Sequence, residues 1–195
     1  MSNRKLNAVQ VLNIAQDYIQ ERNTRIKEYN KSYIPSTINS DINKSVQYYE
    51  NFFSLAGGAW VVEIDYRDFE EFLVISDEEK VISFWIIGVK RNEISSLNPK
   101  LSTDRVFQIS QNYNDEYQLE GVVNPTLGES ITFYEKFEGV EGYSWIIDIK
   151  VPPSQFGGGD TISLVLADEK ECVEYMFDPS GYPVTPHLED EDEDE

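Results

Sequence analysis

The chain has 195 residues, 40% of them apolar and 27% charged, with 16 basic against 36 acidic residues and a formal net charge of −20. That is ample apolar material for a core, while the negative surplus disfavours direct nucleic-acid binding, because phosphates attract positive charge. The one cysteine, Cys172, cannot form an intramolecular disulfide, no apolar run approaches a membrane span, and the polar residues 1–5 do not open a signal peptide; a cytoplasmic protein with no membrane association is expected.

In chain order, Val11, Leu12, Ala15, Tyr18 and Ile19 recur at the three- and four-residue spacing of a helical stripe. Asn7, with Gln10 three residues on, predicts the N-cap and a capping box. Residues 45–53 and 60–64, separated by Gly57-Gly58, predict a hairpin, because both runs are rich in aromatic and β-branched residues. Residues 72–75 and 81–87 predict two more strands around the polar turn Asp77-Glu78-Glu79-Lys80. Trp60 belongs in the core of such a unit, and Val81 reads as an apolar strand position.

The second half repeats this order. Residues 45–64 lie on residues 130–149 without a gap, residues 11–18 on 106–113, and residues 73–78 on 164–169. Trp60 falls on Trp145, Asn7 on Ser102, and Val81 on Cys172. Collinear blocks of this kind predict an α+β protein of two internally duplicated units, each one helix packed on a four-stranded antiparallel meander. The predicted boundaries are 1–97, 98–188 and a disordered acidic tail, 189–195, all of whose residues are Asp or Glu.

The halves differ in charge and in one loop. Through Lys100 there are 14 acidic and 12 basic residues, whereas 101–188 holds 15 acidic and 4 basic. The second unit also replaces the short connection 66–71 with the Pro- and Gly-rich 151–160, and a long loop in a compact unit is a favoured place for function.

Catalytic constellations are absent from the pattern. His187 is the only histidine, so neither a His-based triad nor a His-rich zinc site can form within the chain. Gly157-Gly158-Gly159-Asp160 lacks the Lys and Ser/Thr of a phosphate-cradling loop. Glu78-Glu79-Lys80 and Asp168-Glu169-Lys170 have the acid-x-Lys form of metal-dependent nucleases, but both fall in predicted turns, where charged residues collect for structural reasons. Neither a metal, a cofactor nor a catalytic residue is expected.

The stripe around Ala15-Gln16-Asp17-Tyr18, the strand Gly57-Gly58-Ala59-Trp60-Val61-Val62 and the hairpin Leu73-Val74-Ile75-Ser76-Asp77-Glu78-Glu79 resemble small bacterial helix-plus-sheet domains of the immunity-protein and cystatin-like type. The resemblance implies action by binding, often by occluding a toxin's active site, with no catalytic residues or cofactor. The expectation is a non-enzymatic intracellular protein that neutralises a basic protein partner through its acidic second unit. Phe156, Asp160, Asp168, Glu169, Glu171, Glu174 and Asp178 are the expected contact residues. Two alternatives are a nucleic-acid mimic or anti-defence protein that occupies a DNA-binding protein, and a small carboxylate/metal enzyme.

Overall fold

The first helix starts at residue 8 because the side chain of Asn7 accepts a hydrogen bond from Gln10 N while Gln10 Oε1 accepts one from Asn7 N, both at 3.0 Å. This reciprocal cap is worth about 1 kcal/mol and sets the boundary of α1, Ala8–Tyr29. A computed structural model of the chain describes residues 4–66, 69–123, 130–152 and 159–186. The chain divides into two units, Met1–Leu97 and Asn98–Glu195, of mixed α and antiparallel β structure.

In the first unit α1 is followed by a single helical turn, α2 (Ile42–Ser45), and four strands: β1 (Val46–Tyr49), β2 (Ala59–Tyr66), β3 (Phe69–Ser76) and β4 (Ile82–Ile87). Each pairs antiparallel with the next, giving the meander. The predicted strand 45–53 is shorter than expected at both ends. Asp41 caps the α2 turn by accepting from Asn43 N, and Phe53 and Ser54 take left-handed φ values of 51° and 58°, which end the strand. Gly58 is required in that turn: a Cβ there would lie 2.5 Å from the Tyr49 carbonyl oxygen.

Val11, Ala15 and Ile19 of α1 pack on Trp60, Val62, Ile64, Leu73, Ile75 and Trp85. Each buried Val, Leu or Ile side chain among them contributes roughly 1.5–3 kcal/mol. The intervening residues Val61, Phe72, Val74, Phe84 and Ile86 are buried as well, so the strands read as continuous apolar runs rather than alternating ones. Phe53, although outside a strand, packs its ring 4.9 Å from that of Phe84.

The second unit contains α3 (Thr103–Glu116), capped by Ser102, whose side chain accepts from Arg105 N. Its strands are β5 (Val122–Val123), β6 (Ile131–Tyr134), β7 (Ser144–Lys150), β8 (Thr161–Ala167), β9 (Cys172–Phe177) and β10 (Pro183–Val184). β6 to β10 pair in sequence order, all antiparallel, and β5 pairs with the far end of β7. The predicted four strands are β6 to β9; β5 and β10 are additions too short to carry a period-two signal. Thr37 bridges Asp65 at the end of β2, the place that β5 takes beside β7.

Val81 and Cys172 differ from expectation. Lys80 and Glu171 adopt φ values of 60° and 56°, so the turns before β4 and β9 extend to those residues, leaving Val81 50% exposed and Cys172 exposed at the strand start. Residues 153–158 of the Pro/Gly-rich loop, Phe156 among them, and residues 187–195 lie outside the described residues.

Candidate functional site

The polar turn after β3 holds a buried carboxylate. Asp77 is 1% exposed; its Oδ2 accepts from Lys5 N at 2.7 Å, and its Oδ1 accepts from Leu6 N at 3.0 Å and Trp60 Nε1 at 2.7 Å. Burial pushes this carboxyl up, but the hydrogen bonds from Lys5, Trp60 and Leu6, with Arg4 nearby, outweigh it and hold the group below its ordinary value of 3.8. Asp168 is hydrogen-bonded in the same pattern in the second unit. It is 0% exposed and accepts from Lys100 N at 2.6 Å, Leu101 N at 3.0 Å and Trp145 Nε1 at 2.9 Å. Each carboxylate thus ties the segment before a helix to the strand turn and orients a core tryptophan.

Asp168 is therefore corrected from a contact residue to an internal clamp. Both of its oxygens are occupied by donors of its own unit, and no surface remains for a partner to touch. Its burial does place the rest of the turn, because Glu169 and Lys170 must then project outward.

The other expected residues divide between structural work and an open surface. Asp160 accepts from Lys150 Nζ at 2.9 Å and from Thr161 Oγ1 at 3.0 Å, and these bonds hold its carboxyl below the ordinary value. Asp178 Oδ1 accepts from Ser180 N and Tyr182 N, closing the turn between β9 and β10. Glu169 is exposed, and its carbonyl accepts from Lys100 Nζ at 3.0 Å. Glu171 and Glu174 lie together on a groove of about 560 Å³ between α3 and β9.

The other wall of that groove comes from α3, through Arg105, Ile109, Asn112 and Glu116. These residues were not singled out from the sequence, although their spacing marks one helical face. Lys100 pairs with Glu171 at 2.8 Å and Lys170 with Glu174 at 2.6 Å. Such half-exposed pairs contribute little stability, and a competing cation can exchange into them. Glu116 is exposed at the rim, and Tyr113, at the groove's base, has its phenol pushed up to about 12 by burial, with Tyr117 and Glu116 adding to the effect.

The groove is poorly suited to covalent chemistry. Partial burial pushes the Cys172 thiol up and Glu174 adds to it against Lys170, so the thiolate nucleophile is disfavoured. Among the described residues no three His, Cys, Asp or Glu side chains converge as a metal site, and no helix is long and apolar enough to cross a membrane. Compared with known proteins, the chain matches no family model, no curated protein and no solved structure.

Proposed function

We propose that the chain is a cytoplasmic, non-enzymatic binding protein of the immunity type, which neutralises a basic protein partner such as a toxin through the acidic surface of its second unit. The observation that carries this reading is the charge asymmetry: 15 acidic against 4 basic residues over 101–188, compared with 14 against 12 through Lys100. Within the second unit, Glu116, Glu171 and Glu174 line a groove between its helix and sheet, and Glu169 projects from the turn that leads into it. Opposite charge of this kind raises encounter rates and selects partners more than it deepens affinity.

The two units are, on this reading, copies of one ancestral domain. Support comes from the collinear sequence blocks and from the matched bonding of Asp77 and Asp168, each holding two backbone amides and one indole in the same order. Shared residues such as Trp60 and Trp145 form scaffold, and the diverged charge marks the working surface.

The experiment is capture from a lysate of the source cell with the whole chain as bait, followed by association kinetics with the captured protein over a range of salt. Glu116→Lys, Glu169→Lys and Glu171→Lys combined should slow association about tenfold or more and flatten its salt dependence. A captured partner of acidic character, or unchanged kinetics in the triple variant, refutes the reading.

A further inference from the structure

The groove between α3 and β9 is bounded on the sheet side by Cys172, Val173 and Glu174, three successive residues of β9. An irregularity in register at Glu174 breaks the usual alternation between faces, so neighbouring residues meet the groove, with the outer edge of the strand beside them. That edge is open. β8 pairs with β9 from Cys172 to Phe177, whereas β10 pairs on the other side with Met176 and Phe177 alone. Thr185 and Pro186 do not continue β10 as a strand, and among the described residues of this unit no strand covers the outer side of 172–175.

An uncovered edge presents backbone N–H and C=O groups ready to pair with another chain. Ile109 lies on the opposite wall of the groove, and Glu171 and Glu174, paired with Lys100 and Lys170, stand beside the strand. Glu174 is also the extra residue at the irregularity in the β8–β9 register, the position most turned out of the ladder. Charge then decides the occupant. The groove itself mixes Glu116, Glu171 and Glu174 with Arg105 and Lys170, but 101–188 holds 15 acidic against 4 basic residues, so a second copy at −20 and the wholly acidic run 189–195 are both repelled by this unit. A basic strand is attracted.

We propose that the basic partner is held by strand addition: an extended segment with Lys or Arg at alternate positions pairs its backbone with β9 over residues 172–175. Its cationic side chains meet Glu116, Glu171 and Glu174, while its apolar side chains rest towards Ile109 and Val173. This rests on the reading of a basic partner and adds how that partner is gripped. Main-chain pairing supplies the affinity, and the alternate side chains supply the choice of sequence.

The test uses the full chain, ¹⁵N-labelled, and a capped octapeptide of alternating lysine and valine. Amide shifts should concentrate at 172–175 and on the 105–116 face of α3, with slowed hydrogen exchange in β9. A glutamate/valine octapeptide should produce none of this. Two further lysine/valine peptides are N-methylated, one on all lysines and the other on all valines, which removes alternate donors while the charge is kept. One of the two should bind at least about tenfold more weakly than the parent, from the loss of two or more edge hydrogen bonds. Equal binding of all three cationic peptides, shifts spread over the acidic surface, or no binding overturns strand addition. Lysate capture with the unaltered chain, and the salt dependence of association in the triple Glu→Lys variant, read the basic-partner assignment separately.

Discussion

Replacing Asp168 by alanine tests whether the buried carboxylate holds the second unit together. The substitution removes both acceptor oxygens and leaves three donors: Lys100 N, Leu101 N and Trp145 Nε1. Lys100 is exposed and its amide can be rehydrated, but Leu101 is 3% exposed and Trp145 0%, so two donors stay dry. Each buried, unsatisfied donor costs about 1–3 kcal/mol, which puts the loss at roughly 4 kcal/mol. Against a total stability of roughly 5–15 kcal/mol, this is a large fraction. At about 2–4 °C per kcal/mol for a chain of this size, the melting midpoint should fall by roughly 8–16 °C. Asp168→Asn keeps one acceptor but turns an amide donor towards the others, and should lose about half as much. Trp145→Phe leaves both backbone bonds in place and should lose less than the alanine variant. Urea unfolding followed by circular dichroism measures the series, because Trp145→Phe removes the one tryptophan of the second unit. A loss below about 0.5 kcal/mol in Asp168→Ala, the level of an ordinary surface change, would refute the clamp.

Acid titration separates the carboxylates by sign. Asp77 has a lower value folded than unfolded, so the unfolded chain takes up its proton first. Its contribution is complete above the ordinary aspartate range and is lost as pH falls through the folded value, which lies below 3.8. Unfolding free energy measured from pH 6 to pH 2 should therefore fall less steeply in Asp77→Asn than in the wild type; parallel curves would contradict the assignment. Asp148 has the opposite sign: burial pushes its carboxyl up, against the hydrogen bond from Ser163 Oγ at 2.6 Å and the charge of Lys150. The folded chain then binds this proton first, and the ionised group costs stability above its folded value. Asp148→Asn, which still accepts from Ser163, should be more stable than the wild type at pH 7 and lose that advantage below the ordinary aspartate value. A destabilised variant at pH 7 would show that the ionised form is the preferred one.

Much of the fold was legible because it depends on neighbours in sequence. Asn7 and Gln10 lie three residues apart and set the start of α1, and the blocks around Trp60 and Trp145 carry the strand signal in residue type alone. Phe53 shows where this stops: its aromatic, strand-favouring character was overridden by a left-handed backbone that lets the ring reach Phe84. Less of the site was legible. Glu171 and Glu174 stand on the groove, but Asp160 and Asp178 serve their own turns. The α3 wall lies more than fifty residues away in sequence, and no local pattern joins Glu116 to Glu174.

Sequence by itself determined the helix start, the order of the strands and the excess of negative charge over 101–188, because capping, strand character and formal charge are properties of a residue and its near neighbours. Tertiary structure alone decided what each acid does. In Asp168-Glu169-Lys170-Glu171 every residue reads as turn surface, yet the donors that bury the first come from Lys100, Leu101 and Trp145, while Lys100 also reaches Glu171 from outside. A carboxylate is a clamp or a contact according to which donors surround it, and those donors are assembled only when distant segments of the unit pack together.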